Sequence, residues 1–167
     1  MFRIGVMAGL LAAAGLLASE PQIGTQAPAF EASDQDGQTV RLADYLGKSN
    51  VVLYFYPKDD TPGCTREACS LRDGYQAIQA TGAVVLGVSA DGVDSHAAFS
   101  KKYKLPFALL ADPEGTLIKA YDVKMPLLKM AHRGTFIIDK QGVIRFKVDN
   151  VDTGKHDQQV LELLRTL

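Results

Sequence analysis

Two uninterrupted apolar runs determine which class of fold this chain can adopt. Residues 51–56 (VVLYFY) and 83–89 (AVVLGVS) contain mainly β-branched, aromatic and small apolar side chains. Runs of this length, without a polar residue at every second position, are typical of strands that are buried on both faces. Helices on both sides of the sheet are needed to cover such strands, so the runs predict an α/β domain.

Helical spacing is found in the segments around these strands, where apolar residues recur every three or four positions. The pattern predicts four helices: one over residues 65–80, one over residues 93–103, one that starts at Asp112-Pro113, and one from residue 153 or 154 to residue 167. The second helix has Asp94 or Ser95 as its expected N-cap, because short polar side chains accept hydrogen bonds from the first turn.

Two turn signals predict hairpins. Asp36-Gly37 lies between residues 29–32 and 39–42, and Lys140-Gln141-Gly142 lies between residues 136–139 and 143–148. Strand–helix alternation that ends in a hairpin predicts a central mixed β-sheet flanked by helices, with an additional N-terminal β-hairpin. This arrangement is compatible with a thioredoxin-like fold.

The length and charge of the chain exclude some functions. A length of 167 residues suits one domain. The chain has 18 Lys+Arg against 19 Asp+Glu, so its net charge is −1. Nucleic-acid-binding proteins usually have a basic excess, and we therefore expect no nucleic-acid partner.

Residues 1–19 have a different character from the rest. Arg3 is followed by an uncharged apolar stretch over residues 4–17, and small and polar residues return at residues 18–21. This order is typical of a signal peptide, and the stretch is shorter than the roughly 20 residues of a membrane span. We expect a signal peptide or retained anchor at 1–19, a single domain at 21–167, and a periplasmic or secreted protein. The alternative is a mis-assigned start codon on a cytoplasmic protein.

Cys64 has a position that favours chemistry. The strand at residues 51–56 ends at Pro57, a short loop follows, and the predicted helix begins near Cys64. The first backbone N–H groups of a helix have no intrahelical acceptor, and together with the helix dipole they stabilise a thiolate relative to a thiol. Thr61 either directs its hydroxyl toward the sulfur or a bound oxygen, or simply caps the helix.

Cys69 is the only other cysteine. On a regular helix, five residues separate the two Cα atoms by about 8.6 Å, whereas a disulfide needs them within about 7 Å. The spacing therefore favours a transient disulfide, formed when the first turns unwind, over a permanent structural one. Two sulfurs and three scattered histidines are a weak metal signal, so we expect no metal.

At this point the sequence resembles a known family. The pattern Pro57-x3-Thr61-x2-Cys64 resembles the active-site signature of peroxiredoxins, and residues 61–73 (TPGCTREACSLRD) resemble the peroxiredoxin Q subfamily, also called bacterioferritin comigratory protein. The resemblance runs from about residue 24 to the C-terminus and includes residues 95–112, 120–123 and 132–142.

The resemblance implies a thioredoxin-like fold and a thiol peroxidase that reduces hydrogen peroxide and organic hydroperoxides without haem, flavin, metal or other cofactor. It implies a monomer and an intramolecular disulfide that thioredoxin or another dithiol reduces. The roles that it implies are the peroxidatic cysteine for Cys64, the resolving cysteine for Cys69, peroxide binding for Thr61, shielding of the pocket for Pro57, and stabilisation of the thiolate for Arg133.

Simpler explanations exist for single residues. Pro57 can merely end a strand, and Arg133 can be a solvated loop residue. Glu67 can join the active-site network, although we expect it to be a surface residue favoured near a helix N-terminus. Two other functions stay open: an exported thiol–disulfide exchange protein, which the absence of a CxxC motif disfavours, and a non-enzymatic binding module, which the joint presence of the four matched residues disfavours.

Overall fold

The computed structural model describes residues 20–167, so the predicted signal peptide or anchor lies outside the described residues. Among residues 20–167, no helix is long and apolar enough to cross a membrane. A short 3-10 helix follows the second strand at Leu42–Asp44. The strands are β1 (Glu31–Ser33), β2 (Thr39–Arg41), β3 (Asn50–Phe55), β4 (Ala83–Ser89), β5 (Ala108–Ala111), β6 (Gly134–Ile138) and β7 (Ile144–Val148). The helices are α1 (Pro62–Asp73), α2 (Tyr75–Ala80), α3 (Val93–Tyr103), α4 (Thr116–Ala120) and α5 (His156–Leu164).

The main sheet has five strands in the order β5-β4-β3-β6-β7. β3 pairs in parallel with β4, which pairs in parallel with β5, whereas β6 is antiparallel to both β3 and β7. β1 and β2 form a separate antiparallel hairpin. The predicted mixed sheet and N-terminal hairpin are therefore confirmed.

Both faces of the sheet are covered. Along β3, Val51, Leu53 and Phe55 pack into a core that also contains apolar residues of α4 and the N-terminal hairpin. Val52 and Tyr54 point the opposite way, into a second core shared with α1, α2, α3 and α5. Alternate residues of a strand face opposite sides, so an unbroken apolar run supplies both cores.

The helix predicted over residues 65–80 is interrupted at Gly74. α1 ends at Asp73 and α2 begins at Tyr75. A Cβ atom at Gly74 would lie 2.5 Å from Cβ of Asp157, so α5 packs directly on the backbone at this point. Only glycine fits at this point, because a side chain would collide with Asp157 of α5.

α3 has the predicted bounds, residues 93–103, but its N-cap and the starts of α4 and α5 differ from the predictions. Neither Asp94 nor Ser95 is the N-cap of α3, because the helix begins at Val93 after Gly92. α4 begins only at Thr116, since Gly115 has a φ of 74° and the preceding residues form a turn. α5 begins at His156, two or three residues later than predicted.

Candidate active site

Three segments that are distant in sequence meet at one edge of the main sheet. β3 and β4 are parallel, so their carboxyl ends lie at the same edge, where catalytic groups of α/β sheets collect. β6 is antiparallel to β3, and its first residue, Gly134, pairs with Phe55, the last residue of β3. The register therefore brings Arg133, which precedes Gly134, next to the loop that connects β3 to α1.

Cys64 is buried in the first turn of α1, with 2% of its surface exposed, and its thiol is free. The first intrahelical hydrogen bond runs from the Thr65 amide to the Thr61 carbonyl, at 2.8 Å. The amides of Gly63 and Cys64 precede this bond and have no intrahelical acceptor. The sulfur thus lies beside unpaired N–H groups at the positive end of the helix dipole, as expected from the sequence.

Arg133 connects the sulfur to a buried carboxylate. Its Nη2 lies 3.4 Å from Sγ of Cys64, and its Nη1 donates to Oε2 of Glu67. Guanidinium is always charged and holds its donors in a rigid fork, so one side chain can contact both groups. Arg133 is therefore not a solvated loop residue, and a positive charge faces the sulfur.

Glu67 is fully buried, so the expectation of a surface residue is wrong. It follows Cys64 by three residues on α1, and this spacing places both side chains on the same face of the helix. Burial raises the pKa of Glu67 to about 7, although the charge of Arg133 and its hydrogen bond act in the opposite direction.

The other predicted site residues surround the same helix start. Thr61 occupies the N-cap position but makes no capping bond; its hydroxyl donates to the Lys58 carbonyl at 2.8 Å. Pro57 is half-buried in the loop after β3, two residues beyond the strand's last residue, Phe55. Cys69 is half-buried with a free thiol, and it lies on α1 together with Cys64.

Residues 23–147 match the AhpC/TSA family. The chain is a peroxiredoxin of this family. It is 41% identical over 158 residues to the chloroplastic peroxiredoxin Q of Triticum aestivum, and the alignment covers 93% of this chain and 72% of the relative. It is 42% identical over 146 residues to a putative peroxiredoxin bcp of Coxiella burnetii, and this alignment covers 84% of this chain and 96% of the relative.

Solved structures agree with this assignment. The peroxiredoxin is similar to peroxidoxin BcpB of Mycobacterium tuberculosis, with a TM-score of 0.81 and 34% identity over 87% of this chain and 97% of the other. It is also similar to a cysteine-to-serine mutant of the Xylella fastidiosa PrxQ, with a TM-score of 0.82 and 31% identity over 89% and 98% of the two chains. The resemblance to the Q subfamily is confirmed. Peroxiredoxins are thiol peroxidases, so the peroxidase interpretation is favoured over disulfide exchange and over a non-enzymatic module.

Two further buried polar residues, His156 and Thr135, lie next to each other, and His156 lies near Glu67. Nε2 of His156 lies 2.8 Å from Oγ1 of Thr135 and 3.7 Å from Oε1 of Glu67. His156 and Thr135 are fully buried. Nothing in the local sequence indicates that His156 approaches Glu67, because the contact depends on how α5 packs against α1.

A buried network fixes the loop that leads into α1. Asp59 accepts hydrogen bonds from the hydroxyls of Tyr56 and Ser95, at 2.6 and 2.8 Å, and its Oδ2 lies 2.8 Å from Nδ1 of His96. Nε2 of His96 donates to the Leu110 carbonyl at 3.1 Å. These contacts fasten the loop of the peroxiredoxin to α3 and β5, and they hold Thr61 and the start of α1 in place.

Gly63 leaves room for the approach of Arg133. A Cβ atom at Gly63 would lie 3.2 Å from Nη2 of Arg133. We expect Gly63→Ala to displace the guanidinium from the sulfur and to slow the reaction of the thiol with hydrogen peroxide about tenfold, as for the loss of one charge-assisted hydrogen bond. Stopped-flow kinetics with the purified variant would measure this.

Gly92→Ala is the matched control for this substitution. An added Cβ at Gly92 would meet no atom within 4 Å, and its φ of −85° suits any residue. An equal rate in Gly63→Ala and the unchanged protein would show that the close approach of Arg133 does not matter for the reaction.

Proposed function

We propose that Cys64 is the peroxidatic cysteine of this thiol peroxidase and attacks the O–O bond of a hydroperoxide. The observation that carries the proposal is the contact of 3.4 Å between Nη2 of Arg133 and the Cys64 sulfur, at the amino-terminal turn of α1. The guanidinium and the helix dipole both favour the thiolate, which is the nucleophilic form.

The proposed reaction balances without a cofactor. The thiolate attacks one peroxide oxygen, so an S–O bond forms while the O–O bond breaks. The electron pair of the O–O bond leaves with the second oxygen, which takes a proton and departs as water or an alcohol. Cys64 becomes a sulfenic acid.

The environment of the sulfur supports binding of the peroxide. The Thr61 hydroxyl already donates to Lys58, so its oxygen is free to accept a hydrogen bond from the peroxide O–H. The unpaired amides of Gly63 and Cys64, together with Arg133, supply donors for the charge that develops on the leaving oxygen. Pro57 is half-buried beside this loop, and we assign it the role of shielding the sulfur from water.

Cys69 is proposed as the resolving cysteine. Its thiol would condense with the sulfenic acid, release water and form a Cys64–Cys69 disulfide. Both residues lie within α1, where a regular helix separates their Cα atoms by about 8.6 Å. Formation of the bond therefore requires local unwinding of α1.

Contacts between α1 and α5 oppose this unwinding. The Ser70 hydroxyl donates to Oδ1 of Asp157 at 2.8 Å, and its oxygen accepts from the Asp157 amide at 3.1 Å. Ser70 follows Cys69 directly, so the resolving cysteine is attached to a docked segment. We infer that oxidation of Cys64 comes first, and release of the helix second.

The reductant, location and assembly complete the proposal. Thioredoxin or a thioredoxin-like dithiol would restore both thiols. We infer a single domain at 21–167 that acts as a monomer. A signal peptide or anchor at 1–19 would direct the protein to the periplasm or outside the cell. The curated relatives include chloroplastic and bacterial proteins.

The resolution step has a direct test. The purified protein is treated with one equivalent of hydrogen peroxide and digested without reduction, and a crosslinked Cys64–Cys69 peptide is expected. Circular dichroism is expected to report less helix in the oxidised form. Cys69→Ser, the control, should show neither change. A dimer joined through Cys64 would contradict the intramolecular disulfide.

A further inference from the structure

The hydrogen-bond partners of its two ring nitrogens indicate that His156 is neutral. Nδ1 is 3.0 Å from Oε1 of Gln159, an oxygen that also accepts from the Asp152 amide, so Nδ1 carries the proton. Nε2 then accepts the hydrogen of the Thr135 hydroxyl at 2.8 Å. Burial lowers the pKa of His156, which agrees with a neutral ring.

Glu67 lies near this ring, with one carboxylate oxygen hydrogen-bonded and the other not. Oε2 accepts from Arg133, whereas Oε1 is buried and has no hydrogen-bond partner among residues 20–167. Oε1 is 3.7 Å from Nε2 of His156, slightly beyond hydrogen-bond distance. An ionised carboxylate gains nothing from the lone pair on Nε2, but a protonated Oε1 can donate to it.

We propose that His156 is a positioning residue of the peroxidase site, which accepts a hydrogen bond from protonated Glu67 and thereby leaves the charge of Arg133 to the Cys64 sulfur. The inference rests on the proposed role of Cys64. When Glu67 is ionised, its charge competes with the thiolate for the same guanidinium. When Glu67 is neutral, the thiolate is the only anion that Arg133 faces within this group.

Thr135 competes with protonated Glu67 for Nε2 of His156. Its hydroxyl occupies the Nε2 lone pair that a protonated Glu67 requires. The protonation of Glu67 therefore depends on which of the two hydroxyl-bearing groups donates to Nε2. Burial already places the pKa of Glu67 near 7, so small changes at His156 alter its charge at neutral pH.

The charged and titratable groups around Glu67 and His156 come from several parts of the fold. Tyr54 of β3 has a buried hydroxyl, and burial first, then the charge of Glu67, raise its pKa well above the usual range, so it stays neutral. The remaining charged or titratable neighbours are Arg133, Cys64, Asp157 and Asp152.

Two conservative variants are expected to move the titration of Glu67 in opposite directions. In His156→Gln, an amide N–H can donate to Oε1, which favours the ionised form and lowers the midpoint. In Thr135→Val, Nε2 is free for the protonated form, which raises the midpoint. Each shift should be about half a pH unit to one unit, the size of one hydrogen bond. Carbon-13 NMR of labelled glutamate carboxyls would measure both.

The rate constant of the thiol with hydrogen peroxide is expected to contain an inflection at the same pH as the NMR midpoint in each protein. Glu67→Gln assigns the signal and should remove both the resonance and the inflection. A merely structural role of His156 predicts slower reaction without opposite shifts. Shifts of one sign, or none in either variant, would overturn the proposal.

The outcomes stay separate if one variant is unstable or if the function is wrong. Thr135→Val changes only a hydroxyl to a methyl group, and without an upward shift in that folded variant the inference fails. If Cys64→Ser and the unchanged protein consume peroxide equally, the proposed role of Cys64 fails instead, and the carboxyl titration does not depend on that result.

Discussion

Replacement of Cys64 by serine is expected to abolish peroxide reduction, with a loss of at least about three orders of magnitude. The serine hydroxyl is not ionised near neutral pH, and removal of an enzyme nucleophile leaves only background reactivity. Peroxide consumption in the presence of excess dithiothreitol would measure the effect. The substitution replaces the buried sulfur atom with a smaller oxygen atom and changes nothing else, so folding should persist, as circular dichroism can check.

Cys69→Ser is the informative partner for this experiment. Cys69 lies beyond the first turn of α1, where backbone amides are used within the helix. With dithiothreitol as reductant, the sulfenic acid on Cys64 can be reduced directly, so the first step should keep its rate. If Cys69→Ser lost the activity while Cys64→Ser kept it, the two roles would be reversed.

Arg133→Lys is expected to slow the reaction with hydrogen peroxide about a hundredfold. Lysine keeps the charge but lacks the fork that contacts Cys64 and Glu67 together, and each charge-assisted hydrogen bond contributes about 1.5–3 kcal/mol. Loss of the contact with sulfur reduces the stabilisation of both the thiolate and the leaving oxygen. Pseudo-first-order kinetics at several peroxide concentrations would give the rate constant.

Arg145→Lys is the matched control for Arg133. Arg145 is about half exposed, and its partner is Asp139, one residue beyond the far end of β6, 3.3 Å away. The substitution makes the same chemical change away from the site, and the rate should stay within a factor of about two, as for most surface changes. If both variants lost the rate equally, or neither did, the contact with sulfur would not explain the effect of Arg133.

The sequence was sufficient for the fold class because its strongest signals are local. The run at residues 51–56 and the turn at Asp36-Gly37 each predict their own element, and both elements form. β5 at Ala108–Ala111 was not predicted, since four residues between two loops give little periodicity. Local spacing does not indicate the end of α1 at Asp73, and the close contact of Gly74 with Asp157 comes from another helix.

In the candidate site, too, local signals predict some residues, whereas others depend on distant contacts. The position of Cys64 at a helix start follows from the strand, the loop and the helix around it. Only the family resemblance indicates Arg133, because its approach depends on the antiparallel register of Phe55 with Gly134. The preference for acidic residues at helix starts predicts an exposed Glu67, whereas its spacing of three residues from Cys64 is the signal that agrees with its buried position.

The docking of α5 on α1 has a practical consequence. The last helix of the chain rests through Asp157 on the segment that also carries Cys69. Any event that pulls this segment loose also removes a support from the carboxyl-terminal end. The fluorescence anisotropy of a dye near residue 167 would therefore change each time the cysteines are oxidised and reduced.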